Sequence, residues 1–211
     1  MKLRFALVVI PLILCLPLAA QTLYDNGPIN GNIGAYAFTG AYGWQMADSF
    51  VLGSSSTITG FSIGAWVYPG DQPVSTSWEI LTGGPDFNGG TVVAQGTANF
   101  SNTYWGLGFG SYDVYTSTVS GLNVNLSAGT YWLELFNGTT QVPTQPIYWD
   151  ENDGPSEGQQ GLYGVYQGTY GSEAFTINGT PGGTVPEPSS LLLLGSGVIG
   201  LAGLIRRRIG L

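Results

Sequence analysis

Through most of the interior of the chain, apolar and polar positions alternate with a period of two, and no stretch there repeats at helical spacing. Phe61, Ile63, Ala65 and Val67 alternate with Ser62, Gly64, Trp66 and Tyr68, which puts the first set on one face of a strand. Leu122, Val124 and Leu126 alternate with Asn123 and Asn125. After Ser127-Ala128-Gly129, Tyr131, Leu133 and Leu135 alternate with Trp132, Glu134 and Phe136, so the spacing predicts a hairpin or a sharp strand-to-strand corner. Further strands are predicted over residues 48–52, 78–81, 91–95, 112–119, 146–149, 162–166 and 173–177. Turn clusters such as Gly83-Gly84-Pro85-Asp86 and Asn88-Gly89-Gly90 separate them. About ten short strands at that spacing predict an all-β domain, an antiparallel β-sandwich of jelly-roll type, over residues 21–178.

The two ends follow other rules. Met1-Lys2-Leu3-Arg4 is a small basic region and residues 5–18 are apolar, so residues 1–20 read as a secretory signal peptide with a cut after Ala19-Ala20. Residues 179–185, Gly-Thr-Pro-Gly-Gly-Thr-Val, lack periodicity and read as a flexible linker. Pro186 and Pro188 flank Glu187 and disfavour helix before them, which predicts an extended, accessible peptide. Residues 189–205 carry no charge, at the short end of a transmembrane helix, and Arg206, Arg207 and Arg208 form a basic end that stays cytoplasmic. This order over residues 186–211 resembles the PEP-CTERM sorting signal of Gram-negative bacteria. The resemblance implies processing by an exosortase and an association with exopolysaccharide production. It also implies anchoring in the inner membrane before processing, then the cell surface or extracellular matrix. Ala47-Asp48-Ser49-Phe50, Ile58-Thr59-Gly60-Phe61, Gly129-Thr130-Tyr131-Trp132-Leu133 and Trp149-Asp150-Glu151-Asn152-Asp153-Gly154-Pro155-Ser156 resemble a recurring exported domain attached to such tails. That resemblance implies a β-sandwich and no established activity.

Composition narrows the chemistry. The only basic residues are Lys2, Arg4, Arg206, Arg207 and Arg208, so residues 21–185 hold 12 of the 13 acids and no Lys, Arg or His. Such a surface repels phosphate backbones, which excludes nucleic acid as a partner. The one cysteine, Cys15, falls in the leader and would be discarded with it, so thiol chemistry and disulfides are absent from the expected mature segment. Without histidine there is no Ser-His-Asp triad, and without lysine there is no Schiff base. All six tryptophans and all twelve tyrosines lie in the same segment, so a well-filled core is expected despite the sparse charge.

Three candidate sites remain. Paired carboxylates could hydrolyse glycans, with Glu79 and Glu134 lying in predicted strands beside aromatic residues; alternation reads each as facing solvent. Asp150, Asn152, Asp153 and Glu157 supply hard oxygen ligands of the kind calcium prefers, although their spacing does not match an EF-hand. Tyr148, Trp149 and Trp105 lie near predicted loops and are candidates for stacking on polysaccharide. The reading that follows is a non-enzymatic exported protein, with a hydrolase or a calcium-dependent adhesion module as alternatives.

Overall fold

The computed structural model describes residues 21–32 and 34–182, together with Gly195 and Gly197, which are helical. In chain order the strands are β1 Gln21–Asp25, β2 Gly34–Ala37, β3 Trp44–Leu52, β4 Ser56–Val67, β5 Pro73–Thr82, β6 Thr91–Asn99 and β7 Ser101–Leu107. They continue with β8 Asp113–Leu126, β9 Gly129–Thr140, β10 Tyr148–Asn152, β11 Gln159–Leu162, β12 Val165–Thr169, β13 Ser172–Glu173 and β14 Phe175–Pro181. They form two antiparallel sheets. One runs β1-β14-β4-β10-β13, with β2 on β10 and β8 and β7 added through β4; the other runs β12-β11-β3-β9-β5-β6.

The two sheets share one hydrophobic core. Phe61, Ile63, Ala65, Trp149, Phe175 and Ile177 from the first sheet meet Met46, Phe50, Leu52, Ile80, Leu133 and Leu135 from the second, all fully buried or nearly so. Each large side chain buried in this way contributes roughly 1.5–3 kcal/mol. The alternation at Phe61, Ile63, Ala65 and Val67 points inward as predicted. Residues 127–128 make a corner: β8 lies in the first sheet and β9 in the second, and the two do not pair.

Two sequence expectations are corrected. The strand predicted over residues 162–166 is the turn of a hairpin, because Tyr163 and Gly164 both have positive φ, 50° and 73°, and join β11 to β12. Paired positive values are what a tight two-residue hairpin needs, and apolar spacing does not register them. The expected linker starts too early. Gly179, Thr180 and Pro181 continue β14 against Ile58, Thr57 and Ser56, after a bulge at Asn178–Gly179. Gly179 fits there because a Cβ would run into the carbonyl oxygen of Thr57.

Candidate functional site

In β10, Trp149 faces the core, so its neighbours Tyr148, Asp150 and Asn152 lie on the outer face of the first sheet. Residues 26–32 fold over that face and cover the latter two. Asp150 has no exposed surface and gathers three N–H donors: Asn30 N to Oδ2 at 2.9 Å, Gly31 N to Oδ1 at 3.1 Å and Trp66 Nε1 to Oδ1 at 2.5 Å. Burial pushes its carboxyl up, and those three donors pull it back down. Asn152 donates from Nδ2 to the carbonyl oxygen of Asn26 at 2.9 Å and accepts from Gly154 N at 2.9 Å. Asp153 and Glu157 are exposed. The four expected calcium ligands therefore do not form one set: two are turned inward and engaged with protein donors and acceptors, and two face solvent. No group of three or more acidic residues among the described residues is arranged to hold a metal ion.

Trp149 is likewise corrected as a polysaccharide contact. It is wholly buried, its Nε1 donates to the carbonyl oxygen of Ala174 at 2.9 Å, and its ring meets Phe175 edge-on at 5.5 Å. Parity shows why, since Ile147 two residues earlier is also fully buried. Tyr148 and Trp105 do reach the surface. Trp105 is 45 % exposed and rests on Gly31, where a Cβ would come within 2.9 Å of the indole. Tyr148 lines a cleft of about 270 Å³ together with Trp66, Phe109, Tyr112, Gly34, Ala35 and Gly110. Around Tyr112 the rings pack closely: Tyr68 stacks at 5.2 Å, Tyr148 meets it edge-on at 5.8 Å, and Trp66 is tilted at 5.8 Å. Burial raises the phenol of Tyr148, and the neighbouring Tyr112 and Tyr68 raise it further. Phe109 and Tyr112 had not stood out in the sequence. Their signal was two aromatic residues in a glycine-punctuated turn, Gly108-Phe109-Gly110-Ser111-Tyr112.

The carboxylate pair is brought together on the opposite surface of the sandwich. Glu79 in β5 and Glu134 in β9 are direct cross-strand partners and so share the outer face of the second sheet. Glu134 does point away from the core, but residues 83–88 cover it and it has no exposed surface. Its Oε1 accepts from Gln45 Nε2 at 2.9 Å and its Oε2 from Asp86 N at 2.8 Å. Burial pushes Glu134 up to about 7, with a smaller upward contribution from Glu79. Burial and Asp86 also raise the partly exposed Glu79. Both oxygens of Glu134 are thus committed to holding the covering loop, which leaves Glu79 as the solvent-facing member.

Asp48 and Glu173 are buried carboxyls as well. Asp48, in β3, accepts from Ser49 N on Oδ1 and from Asn26 Nδ2 and Glu173 N on Oδ2, at 2.5, 3.1 and 2.7 Å. Burial raises it to about 6 against the pull of those donors. Glu173, in β13, has no exposed surface, and neither carboxyl oxygen has a hydrogen-bond partner. Burial, followed by the charges of Asp48, Glu151 and Asp150, holds its carboxyl well above the usual range.

Comparison with known families identifies the tail. Residues 184–208 match the PEP-CTERM protein-sorting motif. The chain therefore carries this motif, which supports an exported protein with a C-terminal sorting region and an exosortase as its processing partner. No curated protein matches the chain. Pro186, Glu187, Pro188 and Arg206, Arg207 and Arg208 fall within the match but outside the described residues; residues 1–20 and, apart from Gly195 and Gly197, the helix expected over 189–205 also lie outside the described residues. Among the described residues no helix is long and apolar enough to cross a membrane.

Proposed function

We propose that the protein is delivered by its PEP-CTERM tail to the cell surface or extracellular matrix of a Gram-negative bacterium. There its jelly-roll-like sandwich works by binding and not by catalysis. The single observation that carries this reading is the match at residues 184–208. In it, residues 1–20 direct export, residues 189–205 hold the precursor in the inner membrane, and exosortase processes the chain at or near Pro186-Glu187-Pro188. Association with exopolysaccharide is the role such delivery suits, and the surface-reaching aromatics Trp105 and Tyr148 support it. Fractionation of cells with and without exosortase tests the sorting. With Pro186, Glu187 and Pro188 changed to alanine, the larger precursor should remain with the inner membrane; unchanged size and location would refute the proposal.

A second reading is favoured by one juxtaposition, the cross-strand placement of Glu79 beside Glu134, both with raised carboxyls. It would make the protein a glycan hydrolase. Against it, Glu134 offers no surface to a substrate. Release of reducing ends that disappears in both Glu79→Gln and Glu134→Gln, with folding intact, would establish it.

A further inference from the structure

We infer that the cleft between Tyr148, Tyr112, Trp66 and Phe109 is an aromatic cage for an organic ammonium group, such as the free amine of an amino sugar. This deepens the polysaccharide reading by naming the class of sugar.

The first argument is geometric. Two rings meet Tyr112 at an angle: Tyr148 stands edge-on to it at 86°, and Trp66 is tilted at 46°. Phe109, 75 % exposed, forms the rim. The remaining walls are Gly34, Ala35 and Gly110, which contribute almost no side-chain bulk. The volume, about 270 Å³, falls below the roughly 300–1,000 Å³ of drug-sized sites. It suits a single charged head or one sugar unit. Ring faces carry negative quadrupole density and attract a cation lying within about 6 Å of their centroids.

Electrostatics supplies the second, independent argument. Acids stand behind the cage. Asp150 accepts the indole N–H of Trp66, which draws electron density toward the ring face. Glu151 packs its carboxyl against Gly34. Asp113, next to Tyr112 in the chain, accepts from Gly70 N at 2.7 Å and lies 3.5 Å from the hydroxyl of Tyr104. No Lys, Arg or His occurs anywhere in residues 21–185, so no cationic side chain of the domain competes for these acids or can pair with an anionic sugar. A cation is thus the complement of the cleft in both shape and charge.

The test uses the full-length protein, titrated by calorimetry and by tyrosine and tryptophan fluorescence. The probes are choline, its uncharged carbon isostere 3,3-dimethylbutanol, a glucosamine oligomer and the corresponding N-acetylated oligomer. Choline should bind about ten-fold more tightly than its isostere. Glucosamine oligomers should bind, and acetylation should abolish that binding. Phe109→Ala, at an exposed rim position, should weaken choline several-fold without lowering the melting temperature, and Tyr148→Leu should remove binding. Equal affinity for choline and its isostere would overturn the proposal by making the cleft merely apolar. Binding of the N-acetylated oligomer without choline would also overturn the ammonium proposal, yet leave the polysaccharide reading standing. Absence of binding by every probe would overturn both at this site.

Discussion

Asp150 and Glu173 are both wholly buried carboxyls of the first sheet, on adjoining strands, and they are held in opposite ways. Asp150 on β10 collects three N–H donors from a loop and an indole, whereas Glu173 on β13 has no partner for either oxygen. In most proteins a cation would answer such groups. Here none exists between residues 21 and 185, so N–H donors or a proton must do so. The difference teaches that in this domain the supply of backbone and amide donors decides which buried acid can carry charge. Asp48 and Glu134, each with donors but deeply buried, lie between the two extremes.

The largest effect expected from this comparison is on pH dependence. Asp48 and Glu134 retain protons in the folded state up to about 6 and about 7, and burial holds the Glu173 proton well above the usual glutamate range, whereas the unfolded chain releases them near pH 4. Stability is therefore greatest below about pH 4 with respect to these groups and falls as pH rises through 6 and 7. Urea unfolding at pH 4.5 and pH 8 should show a loss on the order of 4 kcal/mol at the higher pH. A protein stabilised by ion pairs would show the reverse slope.

Next in size is Asp150→Ala. It leaves the N–H groups of Asn30, Gly31 and Trp66 without their acceptor in a covered site, for a loss of about 3 kcal/mol in the same assay. Glu173→Gln sharpens the contrast from the other side. It removes an ionisable group and breaks no hydrogen bond of its carboxyl, so it should raise stability at pH 8 and leave it nearly unchanged at pH 4.5. The smallest effect is expected from Glu79→Gln, at a partly exposed position, within about 0.5 kcal/mol by urea unfolding.

Parts of this were legible in the residues. Period-two spacing located the inward faces of β4, β8 and β9, and a short Ser-Ala-Gly break marked the passage between sheets. Trp149 could have been assigned to the core from its parity with Ile147. What alternation could not reveal was the covering of outer faces. Residues 26–32 and 83–88 have no periodicity, yet they bury Asp150 and Glu134, which alternation alone assigns to solvent. Long-range assembly hid the rest. The cleft joins residues of β2, β4, β10 and the turn before β8, so no single stretch of sequence contains it. The sorting tail was the exception, because proline placement, an uncharged run and terminal arginines are all local signals.

The same lack of cations that leaves Glu173 without an ionic partner also makes the aromatic cleft selective for positive charge, so one compositional fact governs both stability and recognition. Its most direct test is the ionisation of Glu173 itself, followed by carbon NMR of a protein labelled at the glutamate side-chain carboxyl and assigned with Glu173→Gln. The account predicts that this resonance still holds the position of the neutral acid where the exposed glutamates, titrating near pH 4, have already ionised. A Glu173 resonance that moves with the exposed ones would contradict it.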